Sequence, residues 1–366
     1  MADASRSPDG ARSVASAVQR LDDEGRLAEA HGLLTRVTAS GAAEVHVVEM
    51  AAEVAGRMAD RERALLHAES LRRGAPDTAS QAVGSAAAKL AHGREDEARE
   101  DLQTALDLDR YSVSAMLMLG ELDLRRRRFA AARELALRAQ TAGDRSARGA
   151  RLRARAALQC GDPSGALEAA ERAVAMGGAP ESRVVLAEVL SQRGGPDGLA
   201  RAVEELRRAL ATGVPSADWA LQLGRIFRAQ GRHSEAVSAL RAAIRITPEL
   251  LEAYPLLAHS YESLQLPDVA AKVRALYAGV QPDVDRIAAA RFRAGVARGS
   301  RDSLLALAQA YVRAGRGRLA AEILQKPPFS RDGDPRVAEL RKRATLEPER
   351  LIPSLPEDPA RDKPPW

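Results

Sequence analysis

An alanine recurs through most of this sequence at an almost constant interval. It returns eight times, and six of the seven intervals between successive copies are 34 residues long. The eight positions are Ala30, Ala64, Ala98, Ala132, Ala166, Ala202, Ala236 and Ala270. A fixed period of this length is typical of stacked helix pairs, because one pair cannot bury its apolar face without a neighbour. The period therefore predicts an array of repeats rather than a domain with one central core.

The stretch 217–250 shows one repeat most completely. Its first half places apolar and small residues on one face of a helix that a glycine ends. Its second half does the same on another helix, which a proline ends. The pattern consists of Leu223, Gly224, Phe227, Gly231, Ala236, Leu240, Ala243 and Pro248. We expect Gly224 and Ala236 to lie where the two helices cross, because larger side chains there would push the backbones apart.

This order of residues resembles a tetratricopeptide repeat. The resemblance implies an all-α fold, a right-handed α-solenoid built from about eight to ten antiparallel helix pairs. Eight repeats are predicted within residues 11–284, and they start near residues 11, 45, 79, 113, 147, 180, 217 and 251. Residues 1–10, which precede the first repeat, are predicted to be disordered.

The region after residue 284 fits the period less well. Residues 285–345 are predicted to form degenerate repeat helices and a cap at the end of the array. One helix is expected from about Asp283 to Arg298, either as an unpaired addition or because the repeat signature has shifted by one helix. Another is expected from about Pro335 to Ala344. Residues 346–366 contain six prolines and are predicted to form a flexible Pro-rich tail.

Composition and motifs do not indicate an enzyme. The six histidines lack metal-ligand spacing, and no phosphate-binding loop or nucleophile elbow occurs, so we predict no catalysis, no cofactor and no metal. Cys160 is the only cysteine, which excludes an intrachain disulfide and favours a reducing compartment. The sequence has no apolar leader and no apolar run that could span a membrane. We therefore expect a cytoplasmic protein without a membrane span.

The resemblance also implies a binding surface. In tetratricopeptide repeat proteins the partner usually lies in a concave groove lined by the first helices of the repeats. The positions that correspond to this lining are Glu121, Arg148, Arg151, Arg155, Glu188, Asp218, Leu221, Gln222, Arg225, Arg228 and His259, with Gln19 and Glu53 in the first two repeats. We expect a non-enzymatic scaffold or adaptor, with a multiprotein complex as one setting, that binds a peptide or helical segment of another protein. The arginines favour an acidic segment.

A basic stretch leaves two interpretations open. Residues 110–155 contain 12 arginines and four acidic residues, and Arg148, Arg151 and Arg155 share one helix face. These arginines either pair with acidic faces of neighbouring repeats or form a stripe that binds an acidic peptide or a phosphate backbone. The second interpretation supports an alternative function, a nucleic-acid-associated or regulatory repeat protein. The scarcity of aromatic residues makes nucleic acid the less expected partner. The sequence leaves self-association open.

Overall fold

The computed structural model describes residues 8–39, 43–212, 216–297, 300–314, 316–325, 328–329 and 333–346. Nineteen α-helices and no strand lie in these ranges, and consecutive helices pack as antiparallel pairs. The all-α fold class predicted from the repeat period is thereby confirmed. The chain forms two compact units, Met1–Thr212 and Gly213–Trp366. In the described ranges, no helix is both long and apolar enough to cross a membrane.

Six helix pairs form the part of unit 1 that the structure describes. In chain order they are α1 (Pro8–Asp23) with α2 (Leu27–Thr38), α3 (Val45–Arg57) with α4 (Arg61–Gly74), α5 (Ala79–Ala91) with α6 (Glu95–Leu108), α7 (Val113–Arg125) with α8 (Phe129–Thr141), α9 (Ala147–Gln159) with α10 (Pro163–Ala175), and α11 (Pro180–Arg193) with α12 (Pro196–Leu210). The prediction of disorder over residues 1–10 is wrong for residues 8–10, which are helical. Proline is favourable in the first turn of a helix, because its missing N–H needs no partner there.

Short polar side chains begin several of these helices. Thr78, Ser112 and Ser146 each accept a hydrogen bond from the backbone N–H three residues later, at the starts of α5, α7 and α9. Asp60 and Asp162 do the same at α4 and α10. These caps bind amides that have no partner inside the helix, and so they fix where each helix begins.

The described part of unit 2 contains seven helices, and two separate cores hold them together. They are α13 (Ala217–Ala229), α14 (His233–Ile246), α15 (Ala253–Ser263), α16 (Pro267–Val296), α17 (Arg301–Arg313), α18 (Gly317–Leu324) and α19 (Pro335–Leu346). The first core joins α13, α14, α15 and the start of α16 around the buried Tyr254 and Tyr261. The second joins the rest of α16 to α17, α18 and α19 around the buried Tyr311 and Phe329. The part of the predicted tail after Leu346 lies outside the described residues.

The long helix α16 corrects one prediction. A break near residue 284 and a separate helix from Asp283 were expected, but one 30-residue helix continues through Pro282. The prediction was wrong because a proline removes one hydrogen bond without ending a helix whose two halves are both held by packing. Val273 before the proline is buried in the first core, and Ile287 after it is buried in the second. The second half of α16 is therefore not an unpaired addition, because it packs against α17.

The recurring alanines are buried in the cores of the helix pairs. All eight are fully buried, with 0% exposure. On the first helix of the seventh pair, a Cβ added to Gly224 would lie 2.7 Å from the side chain of Leu240 on the second helix. Residues this small allow the two backbones to approach closely. The burial of the alanines and the close approach at Gly224 agree with the predicted role of these small residues.

Replacing Ala132 with leucine should destabilise unit 1, because α8 has no space for a larger side chain at its crossing with α7. The free energy of unfolding is expected to fall by roughly 2 kcal/mol. Ala130→Leu is the matched control on the same helix, since Ala130 is exposed, and should change this energy by less than about 0.5 kcal/mol. Urea denaturation followed by circular dichroism measures both. Equal losses in the two variants would contradict the role assigned to the alanine.

Candidate functional site

The end of α1 reaches across unit 1 to the fifth helix pair. Asp23 Oδ1 accepts a hydrogen bond from the backbone N–H of Ala147 at 2.8 Å, although the two residues are 124 positions apart. The loop between α10 and α11 also touches this turn, since a Cβ added to Gly177 would collide with the carbonyl oxygen of Asp23. These contacts close the inner side of unit 1 between its first pair and its fifth. We call them the closing contact.

A bidentate ion pair holds α1 against α3 beside the closing contact. Both guanidinium nitrogens Nη1 and Nη2 of Arg57 donate to the carboxylate of Asp22, each at 2.7 Å. Burial alone would raise the pKa of Asp22, but the bonds from Arg57 hold that pKa below its usual value. Burial is also the largest effect on Asp23, and it raises the pKa of that carboxyl despite the bond from Ala147. The two adjacent carboxylates therefore bind different helices, α3 and α9.

A buried arginine connects three first helices of unit 1. Arg148 on α9 is 5% exposed. Its Nε and Nη2 atoms donate to Glu121 on α7 at 2.7 and 2.9 Å, and its Nη1 donates to Glu53 on α3. Burial lowers the pKa of Arg148 to about 10, so the guanidinium keeps its charge at neutral pH. One buried guanidinium group therefore pairs with two carboxylates that lie on different helices.

A cavity of about 360 Å³ lies among α1, α3, α7 and α9. Its apolar wall is formed by Ala15, Val18, Met50, Val54, Val113 and Leu117. Its polar lining is formed by Ser16, Gln19, Asp22, His46, Glu53, Arg57, Ser114, Asp144, Ser146 and Arg148. Apolar walls with a few oriented polar groups are the usual composition of a binding site, so this cavity is the candidate site of unit 1.

The predicted groove positions of unit 1 carry internal contacts. Arg148 does not line an open surface, because it is buried between Glu53 and Glu121 as described. Arg151 donates to the hydroxyl of Ser182 at 3.2 Å. Arg155 donates to Glu188 through Nε at 3.2 Å, across the gap between α9 and α11. The three arginines thus share a helix face, as expected, but they bind neighbouring helices of this chain.

Two further arginines of the basic stretch 110–155 pair in the same way. Arg126 lies 2.6 Å from Asp96, and Arg125 lies 3.5 Å from Glu95 on the same helix, α6. These contacts agree with the interpretation in which basic and acidic faces of neighbouring repeats pair.

The predicted positions of unit 2 differ in exposure. They are Asp218, Leu221, Gln222, Arg225, Arg228 and His259. Leu221 is a correction, since it is 4% exposed and packs in the core with α14 and α15 rather than lining a groove. Arg225 donates to Glu252 at 2.7 Å on the surface, and His259 is exposed. The Nε atom of Arg228 is buried and has no hydrogen-bond partner within the described part of the chain.

Several residues of the site were missed in the sequence. Asp22 and Arg57 are 35 positions apart, about one repeat, so opposite charges one repeat apart were an available indication. The hydrogen bond between Asp23 and Ala147 spans more than three repeats, so no periodic pattern in the sequence indicates it. Within the described ranges, no three His, Cys, Asp or Glu residues are placed to hold a metal ion.

Comparisons with known proteins detect a known repeat in two stretches of the chain. A family model for the tetratricopeptide repeat (TPR) matches residues 84–150 and 197–250. A chain in the crystal structure of the APC/C hetero-tetramer Cut9–Hcn1 has a similar fold, with a TM-score of 0.65. The chain contains tetratricopeptide repeats. It is 13% identical to that Cut9–Hcn1 chain, and the match covers 93% of this protein but only 56% of the other chain.

Other solved TPR structures are similar over shorter stretches. The protein pilF of Pseudomonas aeruginosa is 17% identical, with 60% of this chain and 96% of that chain covered and a TM-score of 0.46. YrrB, described as a TPR protein with an unusual peptide-binding site, is 18% identical, with 53% and 97% covered and a TM-score of 0.41. Comparison with curated proteins gives no match. The likeness to the Cut9–Hcn1 chain, at 13% identity, establishes a shared fold alone.

Asp22→Asn should destabilise this TPR protein at neutral pH, because it leaves the partly buried Arg57 without a carboxylate. The free energy of unfolding is expected to fall by roughly 2 kcal/mol. The pKa of Asp22 is lower in the folded chain than in the unfolded one, so its contribution is complete above the unfolded pKa. That contribution disappears as the pH falls through the folded pKa. The difference between variant and wild type should therefore shrink below about pH 4.

Asp96→Asn is the control for this measurement. Asp96 pairs with Arg126 at 2.6 Å, but its side chain is 82% exposed, so the variant should lose less than about 0.5 kcal/mol. Urea denaturation between about pH 3 and pH 7 gives both comparisons. If the free energy of unfolding of Asp22→Asn stays below that of wild type by a constant amount down to the lowest pH, the role assigned to the ion pair is contradicted.

Proposed function

We propose that this TPR protein is a non-enzymatic scaffold or adaptor that holds a segment of a partner protein on the inner face of unit 1. The segment is a peptide or a helix, and one of its side chains enters the cavity among α1, α3, α7 and α9. The cavity of about 360 Å³ is the observation that carries the proposal, because ligand sites are usually preformed concave spaces of this order.

The fold supports a protein partner in general. Arrays of helix pairs present extended inner surfaces to other chains, and such surfaces are the usual binding faces of repeat proteins. Here four first helices contribute to one cavity, so a segment bound there contacts several repeats at once. The exposed Asp218, Arg225 and His259 are proposed as a separate set of contacts on unit 2. A cytoplasmic location and membership of a multiprotein complex belong to the same proposal.

A protein partner is favoured over nucleic acid by the state of the arginines. Arg125, Arg126, Arg148 and Arg155 pair with carboxylates of neighbouring helices. A phosphate backbone would have to compete with these carboxylates for the same guanidinium groups. The basic stretch therefore offers fewer sites to phosphates than its composition suggests.

Selection from a displayed peptide library tests the proposal. The wild-type chain should enrich a family of related peptides. Ser114→Trp should abolish their binding, because Ser114 lines the cavity and an indole would fill it. Ser70→Trp is the matched control, since Ser70 is exposed on α4, and it should bind the same peptides as wild type. Both variants are first shown to melt at the wild-type temperature.

Two results would contradict the proposal. One is a selection with no enriched peptide family. The other is a family that Ser114→Trp binds as tightly as wild type, which would place the binding surface away from the cavity.

A further inference from the structure

We infer that the cavity of unit 1 accepts an uncharged apolar side chain of the partner, such as leucine, methionine or phenylalanine, and rejects an acidic one. This inference rests on the proposed function, because it names the chemistry of the residue that anchors the partner. It departs from the acidic partner that the arginine content of the sequence favours. The argument concerns the charges that face the cavity and whether each already has a partner.

The two guanidinium groups of the lining are already neutralised. Arg57 makes both of its bonds to Asp22 at 2.7 Å. Arg148 is shared by Glu53 and Glu121, so it has two carboxylates for one positive charge. An acidic side chain that entered the cavity would be desolvated beside these carboxylates, and each guanidinium group of the lining already has a carboxylate partner. The cavity therefore disfavours an anion despite its arginines.

A cation is disfavoured for a different reason. Asp144 is a carboxylate of the lining with no ion pair to Lys or Arg in the described ranges, and its Oδ1 accepts the backbone N–H of Ser146 at 3.0 Å. Ser146 caps α9, so Asp144 stands at the N-terminus of that helix, where the free amides stabilise a negative charge. A cation that reached Asp144 would compete with these amides and would lose its hydration beside the apolar wall. The exposed His46 lies on the same lining.

The remaining wall favours an apolar group. Val18, Val54 and Leu117 are at most 5% exposed and present methyl groups to the cavity, and the partly buried Met50 and Val113 complete the wall. Methionine adapts its shape readily to a neighbouring side chain. A volume of about 360 Å³ admits a large side chain. The polar groups around this wall add orientation, and its carboxylates outnumber its guanidinium groups, which further disfavours an anion.

Three naphthalene probes of different charge test the inference in the full chain. N-phenyl-1-naphthylamine is neutral, 8-anilino-1-naphthalenesulfonate has the same rings with one sulfonate, and N-(1-naphthyl)ethylenediamine is a cation. Fluorescence titration at pH 7 should show the neutral probe binding about ten-fold more tightly than either charged probe. Ser114→Trp should lower the affinity for the neutral probe by about ten-fold, and Ser70→Trp should leave that affinity unchanged. Added salt should have little effect on the neutral probe.

Glu53→Gln separates charge balance from shape. It removes one of the two carboxylates on Arg148 and keeps the size of the side chain, so the affinity for the sulfonate probe should rise several-fold relative to the affinity for the neutral probe. Glu121→Gln removes the other, more exposed carboxylate that pairs with Arg148 and should have the same effect. It is used in place of Glu53→Gln if the Glu53 variant does not fold. If neither substitution changes sulfonate binding, charge balance does not set the preference and the inference fails.

Tighter binding of either charged probe than of the neutral probe, in a manner that Ser114→Trp abolishes, would also overturn the inference. That failure is distinguishable from failure of the proposed function. Acidic peptides that bind wild type but not Ser114→Trp would uphold the scaffold and reject the apolar anchor. A neutral probe that binds while no peptide is enriched would reject the scaffold instead.

Discussion

The contact between the first and fifth helix pairs determines the inner face of unit 1. Asp23 binds the backbone amide of Ala147 at the start of α9. Such an amide has no partner inside its own helix, and the N-terminus of a helix favours a negative charge. Asp22, the preceding residue, binds Arg57 on α3. Two adjacent carboxylates thus join α1 to its neighbour α3 and to a helix more than three repeats away.

The cavity and its chemistry follow from this closure. Once α1 lies near α9, the first helices α1, α3, α7 and α9 surround one space. Arg148 points inward there and is buried, which requires compensation by nearby carboxylates. Glu53 and Glu121 supply it from two other helices. The result is an apolar wall bordered by charges that already have partners, and this composition underlies both the scaffold proposal and the choice of an apolar anchor.

The sequence predicts local structure well because the residues that define each helix pair lie within a single repeat. The alanine period indicated the helix pairs, and all eight alanines are fully buried. Opposite charges about one repeat apart, such as Asp22 and Arg57, were present as a weaker indication of contacts between neighbours. The groove assignment was less accurate: it assumed an open surface, whereas Leu221 is in a core and Arg148 is in a buried ion pair.

Contacts between distant repeats could not be predicted in the same way. They depend on the curvature of the array, which accumulates from a small rotation at each repeat and has no single residue that encodes it. The bond from Asp23 to Ala147 is of this kind. The predicted break in α16 was wrong for another reason. The local rule that proline ends a helix was outweighed by the burial of Val273 and Ile287 in two separate cores.

Hydrogen exchange at the backbone amide of Ala147, followed by NMR, tests the closing contact most directly. Asp23 is the acceptor for this amide, so Asp23→Ala should make it exchange at least about ten-fold faster than in wild type. The amide of Gly149, which donates to Ser146 within the same turn, should keep its rate in both proteins. An Ala147 amide that exchanges equally fast in the two proteins would contradict closure of unit 1 by Asp23.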